Sequence, residues 1–156
     1  MESFEKSMEV MKELFAKDYQ FAMATALENV PSLRYVDAYY KEGSFYIVTY
    51  ANSQKVKELE VNPSVSLCNK LYSFSGNAYN IGHPLKQENQ KIREILIKAF
   101  EPWYFKHNRE EDETMCYVKV DLTHGFFYRD GTGYKVDFAN KTAKEFPFEF
   151  DIVLVE

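Results

Sequence analysis

Cysteine is almost absent from this chain. Cys68 and Cys116 stand alone, far apart and outside any CxxC, so the sequence offers neither a disulfide framework nor metal-ligand spacing, and both read as small buried residues. Long apolar runs are missing as well. The longest stretches, such as Phe21 to Leu27 and Ile152 to Val155, fall far short of the ~18 residues needed to span a bilayer. Glu2 and Glu5 interrupt the N-terminus, which does not read as a signal peptide. A cytoplasmic protein without membrane contact is expected. Basic charge is in deficit: Lys and Arg number 19 against 24 Asp and Glu, a formal net charge of −5. With no basic stripe to offset it, nucleic acid is a poor partner. There is also no GxSxG, P-loop, HExxH or paired-glycine fingerprint between a strand and a helix, which removes the usual support for acyl and phosphoryl transfer. Repeats and low-complexity segments are missing too.

What is present describes one globular domain over 1–156, since domains run to roughly 100–200 residues and leave no room here for a separate cofactor module. An apolar share of 46% with 28% charged residues is enough to build a core. The aromatic share is high, at 17%, and favours strands and flat apolar surfaces against which a ring system can lie.

Phe4, Met8, Met11, Leu14 and Phe15 recur at helical spacing, so residues 3–17 read as an amphipathic helix. Three β-type runs follow, Tyr19 to Leu27, Leu33 to Tyr40 and Phe45 to Tyr50, with turns at Asn29, Pro31 and Lys41-Glu42-Gly43-Ser44. They predict an antiparallel meander. Ser53 is placed to cap a short helix over Gln54 to Val61, which Asn62-Pro63 stops. Strands are predicted at Ser64 to Asn69 and Phe74 to Ile81, then a helix over Leu85 to Phe100. Glu101 to Glu113 alternates aromatic and acidic residues and reads as a solvated loop. Met115 to Leu122, Gly125 to Arg129 and Tyr134 to Phe138 give further strands, with a hairpin turn at Asp130-Gly131-Thr132-Gly133. A last strand is expected over Phe148 to Val155. Such an order is not βαβ alternation, and a mainly β, small barrel or curled sheet accommodates it.

Two anion-binding elements occur between Ser32 and Leu59. Arg34 sits inside a strand, where its planar fork either pairs with a carboxylate or faces a ligand. Ser53-Gln54-Lys55 opens a helix, whose free N–H groups and positive dipole end can bind a phosphate while the side chains add donors. The histidines, His83, His107 and His124, are read in loops or turns without shared metal-like spacing, each solvated or hydrogen-bonded.

The succession Arg34-Tyr35-Val36, Phe45-Tyr46-Ile47-Val48-Thr49, Ser53-Gln54-Lys55-Val56-Lys57-Glu58-Leu59 and Asn62-Pro63-Ser64-Val65-Ser66-Leu67 resembles the FMN-binding split barrel of the pyridoxamine 5′-phosphate oxidase-like superfamily. The resemblance covers about residues 19–82 and implies an antiparallel split β-barrel with flanking α-helices. It further implies a homodimer with FMN at the subunit interface and a flavin-dependent oxidoreductase acting on a small-molecule substrate. Carried over by position, flavin and phosphate contacts fall on Arg34, Thr49, Ser53, Gln54 and Lys55, with backbone contacts at Tyr35, Val36 and Val48. Gln54 stands where the family often has Arg. An aromatic residue from the second subunit covers the flavin in small members of the superfamily, a role implied for Tyr128 or Trp103. No metal site is implied. Two other classes stay open: a flavin-binding protein without turnover, and a haem-binding or haem-degrading split barrel with an axial ligand from His83, His107 or His124.

Overall fold

A computed structural model describes residues 2–149. The apolar stripe of the first segment forms α1 (Ser3–Phe15), burying Val10, Met11 and Phe15. An antiparallel meander follows, β1 (Tyr19–Leu27), β2 (Val30–Lys41) and β3 (Ser44–Tyr50). Its turns hold two residues each, all at positive φ: Glu28 at 51° and Asn29 at 64°, then Glu42 at 49° and Gly43 at 84°. Mirror-image turns of this kind match the twist of the strands they join. Pro31 therefore lies inside β2 rather than in the turn. Next come α2 (Gln54–Val61), β4 (Ser64–Asn69) and β5 (Tyr72–Gly82) at nearly the predicted bounds.

Later elements depart from the sequence expectation. The second long helix, α3 (Gln90–Ala99), begins after a single 3-10 turn at Gln87–Asn89 rather than at Leu85. The Asn89 side chain donates to the carbonyls of Ile81 and His83, both at 3.0 Å, and so ties the preceding segment back to the end of β5. The stretch 101–113 is not simply a solvated loop. It contains a one-turn helix, α4 (Tyr104–His107), with Tyr104 fully buried, and Glu110 takes both ends of the Arg93 fork at 2.6 Å. The two segments expected around Thr123 merge into one strand, β6 (Met115–Arg129), so His124 lies in a strand and not in a turn. After β7 (Thr132–Asp137) the last strand is β8 (Thr142–Pro147). Of the strand expected over Phe148 to Val155, Phe148 and Glu149 follow β8 outside any strand and the rest lies outside the described residues. Cys116 is buried as expected, but Cys68 is exposed, because it falls on the outward-facing positions of β4 with Ser64 and Ser66.

Neighbouring strands run in the order β3-β2-β1-β4-β5-β6, and β3 pairs with β6 to close an antiparallel six-stranded barrel; β7 and β8 extend the sheet from the far half of β6. The structure is thus the mainly β barrel with flanking helices expected from the sequence. Buried positions alternate along β1, β4 and the paired parts of β2 and β3, as a closed sheet requires. Phe15 of α1 seals one end against Phe21, Phe45 and Phe74, with ring centroids 5.4–5.8 Å away. At the other end α2 inserts Val56 and Leu59. A second apolar cluster lies outside the barrel, where Ile92, Leu96, Phe100 and Tyr104 of the α3–α4 region cover Met115 and Tyr117 of β6. Among the described residues no helix is long and apolar enough to cross a membrane.

Candidate functional site

The ladder between β2 and β3 ends early. It pairs Lys41 with Ser44 through to Ala38 with Ile47 and stops there, although both strands continue, β2 back to Val30 and β3 on to Tyr50. The same register would have paired Val36 with Thr49 and Tyr35 with Tyr50. Each rim of this split is held from outside: Arg34, Tyr35 and Val36 pair with Met23, Ala22 and Phe21 of β1, and Val48 and Thr49 with Tyr117 and Cys116 of β6. Two strand edges therefore face each other with backbone donors and acceptors left over. Such groups need a partner, in the form of water or a ligand.

The start of α2 stands at the end of this split. Ser53 N–H bonds to the Tyr50 carbonyl at 3.0 Å, which turns the chain from β3 directly into the helix. The first helical N–H groups have no partner within the helix. Ser53 occupies the cap position, yet its hydroxyl makes no capping bond, and Ser53 Oγ is a buried oxygen without any hydrogen-bond partner in the structure. Lys55 reaches back along the barrel mouth and donates from Nζ to Thr49 Oγ1 at 2.8 Å. Among the described residues no carboxylate pairs with it. Burial, and after it the positive charge of Arg34, lower the pKa of its ammonium. A half-buried cation, an orphaned hydroxyl and a helix N-terminus together form a site for an anion.

Arg34 lies at the same mouth, but its fork is engaged. Nη1 donates to Thr25 Oγ1 at 2.7 Å and to the Met23 carbonyl at 3.2 Å, and Nη2 pairs with Glu58 Oε2 at 3.3 Å. Hydrogen bonds from Thr25 and Ser32, with the Arg34 charge behind them, hold the Glu58 carboxyl below the usual carboxylate range. Of the two partners that the sequence left open for Arg34, a carboxylate occupies it here. Glu58, Thr25 and Ser32 were missed by sequence reasoning, and no local spacing pointed to them, since they come from three different elements.

The remaining predicted residues are distributed as follows. Tyr35 faces outward and is 74% exposed, while Val36 points into the barrel. Val48 faces away from the interior and packs with the α3–α4 cluster; Gln54 is exposed on the first turn of α2. Tyr128 is not brought to this site: it lies at the far end of β6 from Cys116, the partner of Thr49, roughly 40 Å along the strand. There it stacks on Tyr72 with centroids 4.7 Å apart. Trp103 stacks on Phe100 and donates its indole N–H to Asp18 Oδ2 at 2.7 Å.

The histidines differ in availability. Both ring nitrogens of His83 meet backbone groups, of Asp112 and Leu85. His124 lies 3.8 Å from Asp137 and lines a surface groove of about 700 Å³ over β4 to β8. Among the described residues no group of three or more His, Cys, Asp or Glu is placed to hold a metal ion.

Comparison with known proteins bears on the fold and the family. No curated protein matches the sequence. Among solved structures, a NimC/NimA family protein from Clostridium acetobutylicum is 20% identical, with 94% of this chain and 96% of that one covered at a TM-score of 0.58. A pyridoxamine 5′-phosphate oxidase-related, FMN-binding protein from Nostoc punctiforme is 11% identical, with 96% and 98% covered at 0.56. A haem-binding protein from Mycobacterium smegmatis is 11% identical, with 81% of this chain but 55% of that one covered, at 0.60. At these identities the likeness is one of fold. The sequence profile of pyridoxamine 5′-phosphate oxidase matches residues 7–126, which takes in the whole closed barrel and the split between β2 and β3, and the chain belongs to that family.

Proposed function

We propose that the chain is an FMN-binding flavoprotein, an oxidoreductase acting on a small molecule in the cytoplasm. The observation that carries this reading is the split itself: unpaired edges of β2 and β3 leading to a helix N-terminus where, among the described residues, Lys55 has no counter-ion and Ser53 Oγ no hydrogen-bond partner. Ser53, Lys55 and the amides of Gln54 and Lys55 would hold the phosphate. The backbone of Tyr35, Val36 and Val48 would meet the polar edge of the ring system. FMN supplies the redox chemistry when bound, and the chain anchors and orients it.

A two-fold dimer completes the site in this reading. The outward positions of β1, β4 and β5 carry small residues such as Ala22, Ala24, Ser66 and Ser73, the two serines lining the surface groove, beside exposed Leu33 and Tyr35. Self-association through that patch gives two equivalent sites. It also allows the partner's Tyr128, which cannot reach the site within its own chain, to come near a flavin.

The test is the visible spectrum of the purified protein, with release of any chromophore and its identification by mass. Flavin bands with FMN released support the reading; a colourless protein that also fails to take up added FMN overturns it. Turnover with a nicotinamide or other reductant separates the oxidoreductase from a flavin carrier. A haem-binding reading is favoured by one observation, the exposed His124 in its groove. An unchanged Soret shift in His124→Ala on haem titration discards that ligand.

A further inference from the structure

Arg34 and Glu58 form a closed unit at the barrel mouth. Both carboxylate oxygens are engaged: Oε2 accepts from Thr25 Oγ1 at 2.8 Å and from Arg34 Nη2, and Oε1 accepts from Ser32 Oγ at 3.0 Å. Thr25 Oγ1 accepts from Arg34 Nη1 as it donates to Glu58, which locks three side chains from β1, β2 and α2 together. The Glu58 side chain is 4% exposed and that of Arg34 21%. A ligand that drew Arg34 away would leave a buried carboxylate without its cation, an arrangement that proteins tolerate poorly. Lys55, on the same helix, has no such partner among the described residues.

We propose that Glu58 is the resident anion of the phosphate site. It occupies the Arg34 fork, so that the phosphate is held by Lys55, Ser53 and the α2 amides, and it sets the charge of the site to that of Lys55 alone. Glu58 is in this sense a specificity-determining residue, limiting how strongly the site prefers a phosphorylated flavin to an uncharged one. The inference rests on the FMN reading above.

FMN and riboflavin differ only by the phosphate, and quenching of flavin fluorescence reports the binding of each to the wild-type protein, Lys55→Gln, Glu58→Gln and the double variant Arg34→Gln/Glu58→Gln. Lys55→Gln is expected to weaken FMN about tenfold or more while leaving riboflavin unchanged, as loss of a charge-assisted contact requires. The double variant removes the pair as a unit and should keep FMN within about threefold of wild type, because the two charges cancel and neither touches the ligand. Glu58→Gln alone keeps a side chain that can still bond to Thr25 and Ser32, frees Arg34 for the phosphate, and should tighten FMN by about tenfold with no gain for riboflavin.

A folded double variant that loses as much FMN affinity as Lys55→Gln overturns the proposal, as does Glu58→Gln binding FMN no more tightly than wild type. Far-UV circular dichroism and the melting temperature check that each variant is folded, and the double variant, which leaves no unpaired charge, remains decisive if Glu58→Gln is not. A wild-type protein that binds riboflavin as well as FMN, or neither, overturns the phosphate site itself, a pattern distinct from either result above.

Discussion

Replacing Asp37 by Asn should stabilise the protein at neutral pH and not in acid. Asp37 lies on β2 at the outer lip of the split, half-buried, and its carboxyl is pushed up from the ordinary 3.8 to about 6, first by burial and then by a hydrogen bond and charge repulsion from Asp18. A carboxyl easier to protonate in the folded chain than in the unfolded one makes the folded state bind more protons, so stability falls as pH rises between the two values. The difference of about 2 pKa units corresponds to roughly 3 kcal/mol of penalty once the group is charged. Solvent around the exposed part of the side chain reduces this to about 1 kcal/mol. Asp37→Asn has no such titration. Its melting temperature should match wild type near pH 3.5 and exceed it by about 2–4 °C at pH 7.5. The lone tryptophan provides a second readout, because Trp103 donates to Asp18 and its fluorescence should titrate near pH 6 in the wild type and not in Asp37→Asn. A melting difference that stays constant from pH 3.5 to 7.5 would refute the reasoning.

Phe15→Ala empties the centre of the aromatic cluster that seals the barrel and should cost about 3–5 kcal/mol in chemical denaturation, with a loss under 1 kcal/mol contradicting its role as the end plug. Tyr117→Phe removes the buried contact of 2.5 Å to the Tyr104 hydroxyl. A loss of about 1–2 kcal/mol is expected by the same measurement. Because burial and Arg34 lower the pKa of Lys55, FMN affinity should begin to fall with rising pH before exposed lysines titrate, whereas riboflavin affinity should not; parallel curves for the two ligands would show that Lys55 does not hold the phosphate.

The barrel was legible because its early elements obey local rules. The two-residue turns at Glu28-Asn29 and Glu42-Gly43 separate strands of strict alternation, and Asn62-Pro63 ends α2 where the sequence indicates. The failures have tertiary causes. The sequence expectation left a gap at Thr123 and His124, where the pairing of β6 with β5 shifts register but the strand continues; Gly125 beside it sits where a Cβ would come within 2.6 Å of the Phe74 ring, so it lets β6 pass over the core. β8 was missed because Lys144 and Glu145 give it the look of a loop, and its order comes from outside: Glu145 accepts from Ser3 and Lys6 of α1. Tyr104 was read with its acidic neighbours, although α3 and β6 bury it. At the site, motif order located Arg34, Thr49, Ser53 and Lys55 on one mouth. The partner of Arg34 was beyond reach, since a carboxylate 24 positions away leaves no periodic trace.

The pairing of β3 with β6 has a consequence for how the chain reaches its folded state. Its strand partners are distant in sequence, with Ser44 and Asp121, 77 positions apart, even joined by a side-chain bond. Closing a loop of that size is entropically dear, and contacts of long range form late. The meander β1–β2–β3 and the hairpin β4–β5 can assemble locally, but the apolar cover of α3 and α4 has nothing to rest on until the β3–β6 seam zips. Thr49 and the start of α2 depend on that seam for their position. The candidate anion site is therefore among the last parts of the molecule to be completed during folding, and any ligand held there would meet the chain only after its slowest step.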